Sequence, residues 1–150
     1  MQGSDKSTKL NLAYTHKIFY DSSSIGVQVK IDLNIDEKNW AFGNKYETSI
    51  WYQELVNDNL AWSIRYKITK EESIEGTDSR IIGPVQTANP FNYGGINSYL
   101  GVGLNTTFRL FQSDHSDRLA LELLMPINQN KNNLQMEDKN KIIIGYQKAF

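Results

Sequence analysis

Alternation of apolar and polar residues sustained over about nine positions leaves a chain few choices, because only an extended strand puts every second side chain on one face. From Ile25 to Ile35, Ile25, Val27, Val29, Ile31, Leu33 and Ile35 share one parity, and Gly26, Gln28, Lys30, Asp32 and Asn34 take the other. From Leu60 to Ile68, Leu60, Trp62, Ile64, Tyr66 and Ile68 oppose Ala61, Ser63, Arg65 and Lys67. Weaker versions run over Leu10 to Tyr20, Tyr46 to Tyr52, Ile96 to Leu110, Leu119 to Ile127 and Ile142 to Phe150. No stretch holds a 3.6-residue apolar period with caps. The expectation is an all-β, antiparallel up-and-down meander of about seven strands.

Alternation does not say which face is inside. A mean hydropathy of −0.51 and the absence of any run of about 18 apolar residues exclude a transmembrane helix, but a membrane β-barrel averages like a soluble protein, since its lumen face is polar. A soluble sandwich or a lipocalin-like ligand-binding module shows the same period with the apolar face turned inward.

Three features favour a transmembrane barrel. Short connections, at Asp21 to Ser24, Val56 to Asn59 and Gln112 to Asp117, alternate with long ones at Asp36 to Lys45, Lys70 to Gly95 and Asn128 to Lys141. One rim then has tight turns and the other long polar loops, the asymmetry of outer-membrane barrels, and the C-terminus falls on the short-turn, periplasmic side. Tyr20, Tyr52, Trp62, Phe108 and Phe150 gather near that rim, at the depth interfacial rings favour. The polar parity also carries Lys30, Asp32, Glu47, Arg65, Lys67, Asn105 and Glu122 near mid-strand, as a wet lumen permits.

Charge and composition remove other classes. Lys+Arg number 16 against 17 Asp+Glu, for a net charge of −1, without the basic excess that binding a phosphate backbone needs. Nucleic acid is therefore not an expected partner. With no cysteine and 2 histidines, thiolate chemistry is absent and a zinc centre is not expected. No cofactor or metal is assigned. His16 falls on the apolar parity without a serine at a strained turn to serve, and His115 lies beside Asp114 and Asp117 in a tight turn, so no enzymatic role is expected. Gly101 and Gly103 lie mid-strand, where they leave room for facing side chains rather than cradle phosphate.

The last third resembles the end of a family of Gram-negative outer-membrane transporters that includes a meta-pathway phenol-degradation protein. The residues carrying the resemblance are Thr87-Ala88-Asn89-Pro90, Gly94-Gly95, Gly101-Val102-Gly103-Leu104-Asn105, Arg118-Leu119-Ala120-Leu121-Glu122, Pro126, Gln129, Ile144-Gly145-Tyr146-Gln147 and Ala149-Phe150. Asn132-Asn133 and Lys148 depart from the family pattern. The opening Met1-Gln2-Gly3-Ser4 is similar to an internal stretch of the family, so Met1 is not expected to be the natural start. The resemblance implies a single domain over residues 1–150 that is the C-terminal part of a larger barrel, with a signal peptide and further strands before it. It implies outer-membrane lipid and the barrel assembly machinery as partners, with Tyr146, Ala149 and Phe150 similar to the signal that machinery reads. An odd strand count agrees, because bacterial single-chain barrels have even numbers.

The expected function is passage of small solutes, hydrophobic or aromatic ones included, along a lumen lined by Lys30, Asp32, Glu47, Arg65, Lys67, Arg109 and Glu122. If the turn at Val56 to Asn59 pairs Trp51 with Arg65, Glu47 lies diagonal to Lys67; Arg109 and Glu122 are similarly diagonal across the next turn. Such pairs serve either as a selective constriction or as wall salt bridges, with the second reading favoured. The loop from Ile81 to Gly95 is read as solvated rather than as a plug. The same holds for Asn128, Asn130, Asn132, Asn133, Glu137 and Asp138, whose spacing fits no calcium loop. An eighth strand at Arg80 to Gln86 is disfavoured by Pro84.

Overall fold

A computed structural model describes residues 9–35, 40–76, 89–108 and 117–148. Each alternating segment forms a strand: β1 (Lys9–Phe19), β2 (Ser23–Asn34), β4 (Lys45–Asn57), β5 (Leu60–Glu71), β7 (Gly95–Phe108), β8 (Asp117–Lys131) and β9 (Lys141–Gln147). Two short strands, β3 (Trp40–Ala41) and β6 (Glu75–Gly76), pair with each other between the long connections. The seven long strands form one antiparallel sheet in the order β1-β2-β4-β5-β7-β8-β9, a meander curled into a half-barrel. A 3₁₀ turn at Pro90–Asn92, capped by the Asn89 side chain, precedes β7.

The strands run longer than their apolar patterns. Tyr46 to Tyr52 becomes the 13 residues of β4, and Leu119 to Ile127 extends to Lys131 in the 15 residues of β8. Ladder hydrogen bonds continue wherever the neighbouring strand offers N–H and C=O groups, whatever the side chains. The described part of the last strand ends at Gln147; Leu110, the proposed Arg80 to Gln86 strand, His115, Ala149 and Phe150 lie outside the described residues. The short connections expected after β1 and β4 are present, at residues 20–22 and 58–59; the one expected at Gln112 to Asp117 lies, but for Asp117, outside the described residues. The β1–β2 turn closes with Tyr20 N–H donating to the Ser23 carbonyl at 2.8 Å. Asn59 N–H donates to Asn57 Oδ1 at 2.9 Å in the β4–β5 turn, the local bond that makes Asn a turn residue.

Pro126 lies inside β8, where a missing N–H would normally break the sheet. It is tolerated because β9 pairing ends at Leu124↔Lys141 and because the register with β7 shifts between Ser98 and Tyr99. Sheet edges and bulges are the settings that accept proline.

The two parities now have an inside and an outside. On the polar parity Ser24, Ser49, Ala61 and Thr69 are buried. On the apolar parity Ile25, Val27, Trp62 and Ile64 are 37%, 39%, 37% and 40% exposed. The polar face is the concave one. There Arg65 of β5 bonds Glu122 of β8 over the intervening β7, a reach of two strand spacings, about 9.5 Å, which curvature shortens. Buried apolar side chains are confined to Ala61, Tyr99 and Leu124 among the described residues, so one curved layer stands without a second layer on its apolar side. Among the described residues β1 and β9 each pair on one side only. With seven antiparallel strands, these two edges run in the same direction.

Candidate functional site on the concave face

Register places Gly26, Trp51, Arg65, Gly101 and Leu124 in one row across β2, β4, β5, β7 and β8. The two glycines make this row possible. A Cβ at Gly26 would lie 2.2 Å from the Trp51 ring, so the indole rests on bare backbone. A Cβ at Gly101 would lie 2.6 Å from Glu122 Oε1 and 3.3 Å from the Arg65 Cβ, so the Arg65–Glu122 pair passes over a gap in the wall. Arg65 Nε donates to Glu122 Oε1 at 2.8 Å, and the guanidinium carbon lies 5.2 Å from the Trp51 ring centroid. Gly103 continues the gap, its missing Cβ lying 2.6 Å from Ser63 Oγ.

Nearer the long-loop rim the wall carries a second constellation. Glu47 holds Lys67 Nζ at 2.7 Å and Lys30 Nζ at 3.6 Å. Lys67 is the register partner of Tyr99 on β7, and the Tyr99 hydroxyl donates to Asp138 Oδ2 at 2.6 Å. Asp138 belongs to the β8–β9 connection, which folds back onto the concave face. Lys131 and Lys141 lie 3.5 and 3.4 Å from its carboxylate. Its backbone is clamped by the Gln129 side chain, which accepts from Asp138 N–H at 2.7 Å and donates to its carbonyl at 3.0 Å. A polar belt thus crosses from β2 to β9. The Tyr99 hydroxyl, helped by both lysines, holds the Asp138 carboxyl below its ordinary value against the opposing effect of partial burial.

The expected lumen residues are therefore mostly on one face. The pairing of Trp51 with Arg65, and the diagonal of Glu47 and Lys67, are as expected. Asp32 stands apart, at the rim, in a polar pocket of about 250 Å³ shared with Lys9, Lys45 and Glu71. Arg109, and with it the diagonal to Glu122, lies outside the described residues; Glu122 bonds Arg65. Sequence reasoning missed Trp51, Tyr99, Gln129, Lys131, Asp138 and Lys141. The polar parity of each strand could have flagged Trp51, Tyr99 and Lys141; no local spacing signals that Asp138 reaches back 39 residues to Tyr99.

The described part of the preceding loop is tied down as well. Asn133 Nδ2 donates to the Phe91 carbonyl at 2.8 Å and Gln135 Nε2 to the Gly94 carbonyl at 2.6 Å. Two long connections meet at this rim. Tyr146 lies on the convex face, 58% exposed, opposite Leu119. No family model, no curated protein and no solved structure matches this chain.

Proposed function

We propose that the chain is the C-terminal portion of an outer-membrane β-barrel, of the Gram-negative transporter kind its last third resembles, through which small solutes, hydrophobic or aromatic ones among them, pass by diffusion. The observation carrying this reading is the convex face. Between the rows of Glu54 and Lys70, the described convex positions carry no Asp, Glu, Lys or Arg. Ile50, Ile64, Tyr66, Ile68, Val102 and Leu121 stand 39–49% exposed there. Monomeric soluble proteins rarely leave so broad an apolar surface uncovered.

Dimensions support the same reading. The eight residue steps from Leu60 to Ile68 span about 26 Å, or about 20 Å of height at a tilt near 40°, close to the apolar band of about 25 Å on such barrels. Tyr52 and Trp62 meet edge to face, with centroids 5.6 Å apart, on the convex side near the short turns, where a membrane interface would hold aromatic rings. Unpaired backbone groups along β1 and β9 would each cost several kcal/mol in lipid. Closure therefore calls for further strands, and an odd number of them keeps every seam antiparallel. On this reading the short turns and C-terminus face the periplasm, Tyr146, Ala149 and Phe150 serve recognition by the assembly machinery, and the protein acts as a conduit rather than an enzyme.

Membrane fractionation tests the proposal. The full-length protein, closing strands included, should stay with the outer membrane through salt and alkaline washes, require detergent for release, and migrate faster on a gel before boiling than after. Recovery in the aqueous fraction would refute it.

A further inference from the structure

The concave belt has unequal charge. Glu47 is shared by Lys30 and Lys67, and Asp138 by Lys131 and Lys141, so four ammonium groups face two carboxylates. The rim pocket differs: Lys9 and Lys45 meet Asp32 and Glu71 in equal number. The surplus at the belt is opposite in sign to the chain's net charge of −1. Lys67 and Lys131 keep only 23% and 14% of their side-chain surface exposed, so solvent screens them less than free surface lysines. Clefts lined by one sign of charge between low-dielectric walls concentrate the opposite ion.

We infer that this belt makes the lumen anion-selective and that its solutes are small organic anions, carboxylates carrying an apolar or aromatic body. The inference rests on the barrel reading. Each lysine pair is half-compensated by its carboxylate, so a passing anion meets sites attractive enough to enter and weak enough to leave. One step toward the short-turn rim, the Trp51 ring beside Arg65 offers an apolar surface next to a cation, suited to the two ends of such a solute. The Asp138 connection, folded over Tyr99 and Gln129, narrows the space beside the belt.

The test is the reversal potential of the full-length protein, closing strands included, in a planar lipid bilayer across a KCl gradient, with uptake of benzoate and benzylammonium into liposomes alongside. Chloride should outrun potassium, and benzoate should outrun benzylammonium, each several-fold. The pair Lys30→Gln and Lys67→Gln should lower the chloride preference, while Glu47→Gln should raise it. Opposite shifts from neighbouring residues cannot come from misfolding, which only reduces conductance. A channel that prefers potassium, or is unmoved by these substitutions, overturns the anion inference and leaves the barrel intact. Failure to insert, with the protein in the aqueous phase, overturns the barrel reading and this inference with it.

Discussion

Arg65 and Glu122 are 57 residues apart in sequence, with Arg65 Nε and Glu122 Oε1 at 2.8 Å, and the strand between them contributes only Gly101 at the crossing. The bond depends on what Gly101 lacks. Any side chain there would occupy the space through which the pair meets.

Gly101→Leu should therefore break the pair. Its Cβ alone would sit 2.6 Å from Glu122 Oε1 and 3.2 Å from Leu124 Cδ1, and overpacking of this kind costs about 1–3 kcal/mol. The expected result is a lower temperature for loss of the fast-migrating folded band. Leu104→Ala on the convex face relieves no such contact and serves as the comparison. An unchanged midpoint for Gly101→Leu would mean the wall there is open.

The ion pair itself should be worth less than its geometry suggests. Arg65 and Glu122 keep 32% and 22% of their side-chain surface exposed, so a double-mutant cycle with Arg65→Gln and Glu122→Gln should return a coupling on the order of 1 kcal/mol. A coupling near zero would demote the pair to a lumen-facing charge display.

The Asp138 latch should loosen in acid. Its folded carboxyl titrates below its ordinary value, so the stabilisation is present above that value and disappears as pH falls through the depressed one. Hydrogen exchange at Asp138 and Lys139 amides should quicken below the usual carboxylate range. Asp138→Asn should quicken it at neutral pH and abolish the pH dependence. A pH profile that survives this substitution would assign the latch to another group.

An arginine on the convex face separates lipid from water directly. Val102→Arg should lower folding stability in lipid vesicles by about 2–4 kcal/mol, the cost of a cation at bilayer mid-depth. The same change on a solvated surface stays within about 0.5 kcal/mol. The folding midpoint in urea with vesicles present reads the difference.

How far the sequence carried depends on the kind of contact. The pairing of Trp51 with Arg65 and the Glu47–Lys67 diagonal were legible because a short turn sets the register of the strands it joins. Gly101 and Gly103 were legible as space for neighbours, since glycine inside a strand usually marks close approach. The Arg65–Glu122 contact was not legible: register from a hairpin reaches only the neighbouring strand, whereas curvature delivered Arg65 from two strands away. The Asp138 contacts were invisible for a related reason, because a long connection has no register and its path is decided by where its polar groups find partners.

Period two determined the strands and the division of each into a polar and an apolar face, because side-chain direction alternates with the backbone itself, and the short turns made neighbours antiparallel. It could not rank the faces, since a period is unchanged when the sheet is turned inside out. Curvature decided that. Bending toward the polar side brought Trp51, Arg65 and Glu122 together and aligned Lys30, Glu47, Lys67, Tyr99 and Asp138 into one belt, while Ile50, Ile64 and Val102 were left facing outward.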